Sequence, residues 1–363
     1  MRPVPSRRSS PRRLFAATGR LPVTWRSALV VAALWPAAGC RCEEPPPTRD
    51  DTPPAASAAR PATNATGATA GASLPEVTTL LAWKESAFLA TLRVEEGAVL
   101  VLTPTTLIRL QDGAPPETKE LPIGAHPALT RDAIVYWHDG AVRAASPRDG
   151  STRRVIELPR APQRFVASES RWAWVEVGPE QTFTIKTLEG DTPRTVYQTQ
   201  EHLGATAMRE DQVYFVERAR DGSWRVGAVA LTKGRNGGAA PASYTSPRRG
   251  RTPSMLAPAP DGIYYYDGPA RSVRRLSPDL EQETLFAEGV ICSPLAAVTE
   301  RVVCGHVEGV FEIPGKGRPP RVLAREAAAI AAIAADRERV VWVADTGADQ
   351  LAVRAVRLQE GAL

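Results

Sequence analysis

Four histidines (His126, His138, His202, His306) and four cysteines (Cys40, Cys42, Cys292, Cys304) are the side chains of this 363-residue chain best suited to hold a transition metal. No two histidines have His-Glu-x-x-His spacing and no Cys-x-x-Cys pair occurs, so no metal site is expected. His126 and His138 fall close together in sequence and read as loop or rim residues. The Gly-x-Ser-x-Gly elbow of many serine hydrolases is absent. Gly315-Lys316-Gly317 runs into Arg318-Pro319-Pro320, which no phosphate-cradling helix tolerates, and there is no dinucleotide fingerprint. Acids recur at Asp132, Asp211 and Asp261, where turn chemistry alone accounts for them. No catalytic residue and no cofactor is expected, and the reading leans away from an enzyme.

Two features could meet a partner instead. A basic insertion carries Lys233, Arg235, Arg248, Arg249 and Arg251, and would suit an acidic partner or lipid head groups; the plainer reading is a solvated loop. Aromatic residues cluster at Trp172, Trp174, Tyr214, Phe215, Tyr264, Tyr265 and Tyr266. On strands, alternate members point to opposite faces, so most of these are expected in the core.

Charge divides the chain. The formal net charge is +5, from 45 basic and 40 acidic residues. Seven arginines and no acid lie in residues 1–39, which leaves 38 basic against 40 acidic residues, a net charge of −2, in the remainder. The basic stripe that nucleic-acid binding needs is therefore not expected. Within 1–39, a basic stretch precedes the short apolar run Ala28–Trp35 and then Pro36-Ala37-Ala38-Gly39-Cys40. This is the layout of an export signal, and the run is too short to span a bilayer. Ala37-Ala38-Gly39-Cys40 resembles the lipobox of bacterial lipoproteins, which implies cleavage before Cys40 and lipidation of its thiol. A plain signal peptide with an incidental cysteine is the alternative. Arg12-Arg13 reads as an incidental pair in an arginine-rich leader rather than a twin-arginine signal. Arg41, where an aspartate could stand, implies the outer membrane by the same resemblance. Residues 41–73 are rich in Pro, Ala and Thr and cannot bury enough surface to offset chain entropy. The expected organisation is a leader over 1–39, a disordered tether over 40–75 and a folded domain over 76–363.

That domain repeats. Val99, Ile134, Trp172, Val213, Ile263, Val302 and Val340 head equivalent apolar β-type runs, with spacings of 35, 38, 41, 50, 39 and 38 residues. Two residues before each stands a turn-former or acid: Gly97, Asp132, Ser170, Asp211, Asp261, Glu300, Glu338. Upstream of each turn lies a small or apolar patch at Leu92, Ala128, Val166, Ala207, Ala257, Ala296 or Ala334. Units of about 40 residues with four strands are β-propeller blades, narrow at the hub and wide at the rim. The fold class is all-β: a seven-bladed propeller of four-stranded blades. A β-sandwich would not explain the period.

The last unit lacks an outer strand, and Val77–Trp83 supplies a candidate that would close the ring and leave no open edge. Alanine-rich Glu326–Asp336 competes as a helix, but its place in the repeat assigns it to a strand. Cys292 and Cys304 flank a proposed hairpin in the sixth unit, which predicts a disulfide in an oxidising compartment, with two buried thiols as the alternative.

Val135-Tyr136-Trp137-His138-Asp139-Gly140, Tyr265-Tyr266-Asp267-Gly268 and Leu188-Glu189-Gly190-Asp191-Thr192-Pro193-Arg194 resemble the YWTD-type and TolB-like propeller repeats of exported bacterial proteins. The resemblance spans roughly residues 77–360 and implies a propeller without specifying a ligand. Those families often have six blades, against the seven counted here. The resulting expectation is a non-catalytic binding or scaffold module of the cell envelope, anchored in the membrane by an N-terminal lipid and recognising a protein, peptide or envelope polymer. The competing class is an exported propeller enzyme such as a glycan lyase or hydrolase. A deep hub pocket lined by acids would favour the enzyme, and a shallow neutral hub the binder.

Overall fold

The computed structural model describes residues 74–84, 91–95, 97–124, 126–232, 242–248, 252–298, 301–314, 318–347 and 350–358. These form seven four-stranded antiparallel sheets in a ring. Blades one to six are consecutive in sequence, over 91–120, 128–157, 164–199, 202–245, 256–288 and 295–325. Blade seven takes its three inner strands from Ala329–Ala335, Arg339–Gly347 and Gln350–Arg357, and its outer strand, β1 (Val77–Lys84), from the other end of the domain. β1 pairs antiparallel with Gln350–Arg357, from Val77 opposite Val356 to Lys84 opposite Gln350, with a bulge between Thr79 and Leu81. Ring closure by the N-terminal strand is as expected.

The residues that head the repeats all lie on second strands, and the small or apolar residues upstream all lie on innermost strands. The wedge shape follows: alanines such as Ala128 and Ala257 crowd the hub, while branched and aromatic side chains fill the wider space between sheets. Each second strand divides its side chains by parity. Val99 and Val101 pack towards blade seven, Leu100 and Leu102 towards blade two. Tyr264 faces blade six and Tyr265 blade four. The core is thus seven apolar clusters, each shared by two neighbouring blades. Each fully buried Val, Leu or Phe contributes about 1.5–3 kcal/mol, and that stabilisation exists only when both blades are in place.

The alanine-rich segment is a strand, not a helix. Ala329–Ala335 pairs with Arg339–Gly347 and places Ala332 in the cluster between blades seven and one. Tertiary pairing overrides the local preference of alanine. Gly309 shows how tightly the third and outer strands meet: at φ +144° a Cβ there would collide with the Ala324 carbonyl oxygen. The long spacing after Val213 reflects extra chain between the third strand of blade four (Trp224–Ala230) and its outer strand (Ala242–Thr245).

Candidate functional site

The turns joining first to second strands all lie on one face, and a cleft of about 730 Å³ opens there over the hub. Its walls are inner-strand residues of blades one to five: Leu92, Ala128, Val166, Met208 and Pro258. Its rim is the charged turn residues that follow them, Glu169, Glu210 and Asp211, with Arg93 and Arg209. Arginines on this face tie several blades to the next. Arg93 donates to the Leu129 carbonyl of blade two at 3.4 Å, Arg209 to the Ala259 carbonyl of blade five at 3.3 Å, and Arg339 of blade seven to the Ala98 carbonyl of blade one at 3.1 Å. Two of the rim acids are engaged: Asp211 with Arg171 of blade three at 2.5 Å, and Glu210 with Arg209 at 2.6 Å. Glu169 is exposed and makes no side-chain hydrogen bond or ion pair among the described residues.

The hub is neither the acid-lined pocket nor the neutral surface weighed from sequence. Its acids stand on the solvent-side turns, and two of them are matched by arginines. The arrangement is suited to recognising a ligand that presents both signs of charge.

A second polar layer lies between the blades, and sequence reasoning passed over it. Four residues beyond Trp172, Val213 and Ile263 stand Glu176, Glu217 and Asp267, each ion-paired to a cation on the third strand of its own blade: Lys186, Arg225 and Arg274. Glu217 is buried and also accepts from Tyr197 and Thr199 on the outer strand of blade three, so the pair clasps two blades. Glu326 does the same for blade seven, receiving the Trp342 indole N–H at 3.2 Å and Arg354 at 2.6 Å. The common offset from the repeat residue was a usable signal in blades three, four and five.

The largest of these clasps uses the basic insertion. Arg248 reaches into blade five, where its Nη2 donates to Tyr265 at 2.8 Å and to Glu283 at 2.5 Å, and its Nε lies 3.2 Å from Asp267. Arg274 approaches the same two carboxylates at 3.2 Å. Burial opposes ionisation of Glu283, but the bonds from Arg248 and Tyr265 and the two guanidinium charges outweigh it and hold the carboxyl below the usual range. Burial, together with the bond to that carboxylate, pushes the Tyr265 phenol up. Arg248 is therefore occupied within the chain, while Lys233, Arg235, Arg249 and Arg251 lie outside the described residues. Cys40 lies outside them too.

The structure joins Cys292 and Cys304 in a disulfide with Cα atoms 4.9 Å apart, linking the approach to the inner strand of blade six with its second strand. Both cysteines are buried in the cluster between blades five and six. The aromatic group is largely core, with Trp174, Tyr214, Phe215, Tyr264 and Tyr265 all buried. His126 and His138 both border a smaller cleft on the opposite face. Among the described residues no group of three His, Cys, Asp or Glu is placed to hold a metal ion, and no helix is long and apolar enough to cross a membrane.

No protein-family model and no curated protein matches the chain. Solved structures do. The chain is similar to BBS1N, solved in complex with ARL6DN, over 80% of this chain and 99% of that one, with 10% identity and a TM-score of 0.50. It is similar to the AfRom2 CNH domain over 78% of this chain and 100% of that one, with 7% identity and a TM-score of 0.50. BamB from Moraxella catarrhalis matches over 77% of this chain and 99% of that one, with 11% identity and a TM-score of 0.47. At such identities the likeness to the first two is one of fold, and that fold is the β-propeller.

Proposed function

We propose that the chain is an exported, lipid-anchored β-propeller of the cell envelope that binds a protein partner in its hub cleft without chemical turnover. The observation that carries this reading is the hub mouth itself: a cleft of about 730 Å³ with apolar walls and a rim that bears both acids and arginines, one acid (Glu169) left unpaired among the described residues. A polypeptide segment offers both charges and apolar side chains at that scale, and such a rim selects partners more than it adds affinity. BBS1N, a propeller of similar fold, was solved in complex with another protein, ARL6DN, which supports the reading by example. Lipidation of Cys40 would hold the domain at the membrane, and a flexible tether over 41–73 would let it range roughly 30 Å from the anchor.

The test has two parts. A photo-crosslinking residue replaces Glu169 at the hub rim or, as control, Arg153 on the outer strand of blade two, in cells that export the full chain. A protein captured from Glu169 and not from Arg153 supports the reading; equal capture, or turnover of an envelope polysaccharide by the purified protein, overturns it in favour of an enzyme. Labelling with an alkyne fatty acid should mark the wild type and not Cys40→Ala, and equal labelling of both would remove the anchor.

A further inference from the structure

The face opposite the hub mouth carries a second cleft, of about 550 Å³, and its chemistry differs from that of the hub. Pro104, Pro122 and Pro162 give it stiff apolar walls, Trp137 contributes an aromatic one, and His126 and His138 stand at its edge. The Trp137 indole is held by the Leu158 carbonyl at 2.8 Å, so the ring is fixed in place.

Within this cleft lies Arg164, at the start of the inner strand of blade three. The half-buried Arg225, Arg248, Arg274, Arg301 and Arg354 each reach a carboxylate. Arg164 is also half-buried, yet no hydrogen bond or ion pair reaches its side chain among the described residues. Burial without a counter-charge pushes its guanidinium below the usual arginine value. A desolvated, uncompensated cation is costly to keep, and an incoming anion would offset that cost. Next to it, the side-chain oxygen of Gln163 is buried with no donor. Nothing bonds this oxygen in its present position, so rotating towards a ligand N–H sacrifices no existing bond. An anion acceptor for Arg164 beside an N–H donor for Gln163 is the pattern of a peptide bearing a carboxylate.

We propose that this cleft is a binding site for a peptide carboxylate, with Arg164 as the fork that receives the anion, Trp137 and the prolines as the wall for the adjoining chain, and Gln163 as acceptor for a peptide N–H. The site is separate from the hub mouth and does not depend on the function proposed for it. A guanidinium fork matches a carboxylate through two parallel bonds. The carboxylate comes either from an acidic side chain or from a chain terminus, and the probes separate the two.

The experiment is an NMR titration of the purified protein, following the Arg164 Nε–H and Trp137 indole N–H signals. Four probes are added: N-acetyl-glutamate amide, N-acetylglycine, the neutral N-acetyl-glutamine amide, and inorganic phosphate. Saturable shifts of both signals with one or both carboxylates, at least tenfold weaker with the glutamine probe and with phosphate, are expected. The first probe reports a side-chain carboxylate and the second a terminal one. In Arg164→Met the Trp137 response should fall at least tenfold, while Arg153→Met, on the outer strand of blade two, leaves it unchanged. Because the Trp137 signal reports folding as well as binding, Arg164→Met is read only with an unchanged Tm; if it unfolds, Arg164→Lys replaces it and should weaken binding for loss of the fork. Equal response to the neutral probe or to phosphate, no shift up to about 50 mM, where even millimolar affinity would saturate, or a response indifferent to Arg164 overturns the proposal.

Discussion

Replacing Glu283 by Gln isolates the electrostatic part of the clasp between blades four and five. The substitution keeps the shape and one hydrogen-bonding oxygen, but removes the charge that faces Arg248 at 2.5 Å and Arg274 at 3.2 Å. Removing one partner of a buried ion pair costs about 3–5 kcal/mol. Two features reduce that figure here: Asp267 still faces both arginines at 3.2 Å, and the Arg248 side chain is 31% exposed. The expected loss is about 2 kcal/mol at pH 7, intermediate between a charge-assisted hydrogen bond and a fully broken buried pair. For a domain of about 280 residues that lowers Tm by roughly 3–4 °C. The pH dependence is the sharper test. The folded-state pKa of Glu283 lies below its unfolded value. Its contribution is therefore complete above the unfolded value of about 4.3 and drains away as pH falls through the folded one. Calorimetry of wild type and Glu283→Gln from pH 7 down to about pH 3 should show a difference that narrows in acid. A difference that is the same at both ends would refute the ion-pair account. In a double-mutant cycle, Arg248→Met and Glu283→Gln should be non-additive, since they share one network.

Deleting residues 74–84 removes the outer strand of blade seven, together with Leu80, Leu81 and Trp83 from the cluster shared with blade one. The truncated protein should expose the edge of Gln350–Arg357 and be recovered by size-exclusion chromatography mainly as aggregate; a monomer with wild-type Tm would show that β1 is dispensable. Converting both Cys292 and Cys304 to alanine frees a link across 12 positions. A loop of that length predicts about 3 kcal/mol lost on urea unfolding, and a loss under about 1 kcal/mol would mean the hairpin is held without the bond.

The ring was legible because it repeats. A β-branched run such as Arg339-Val340-Val341-Trp342-Val343 is a weak signal alone, but its recurrence seven times after a turn residue and a small-residue patch leaves little room for another architecture. Closure was legible for the complementary reason, a deficit of one strand at one end and a surplus at the other. The clasps were only partly so: Glu217 keeps a fixed offset from its repeat residue, whereas Glu283 looks like an ordinary surface acid until Arg248 reaches it. Arg164 is the plainest case. In sequence it is one of many arginines, and its lack of a counter-charge arises only where three connecting segments converge around it.

The first described strand in sequence pairs with the last. Val77 meets Val356 across 279 residues, and bringing such distant positions together costs about 5 kcal/mol of chain entropy beyond the constant part. Until Gln350–Arg357 is in place β1 has no partner, which leaves the pairing edges of both strands bare. High contact order of this kind slows folding and lengthens the exposure of those edges. Such unpaired edges, more than the finished wheel, are what a chaperone would find to hold.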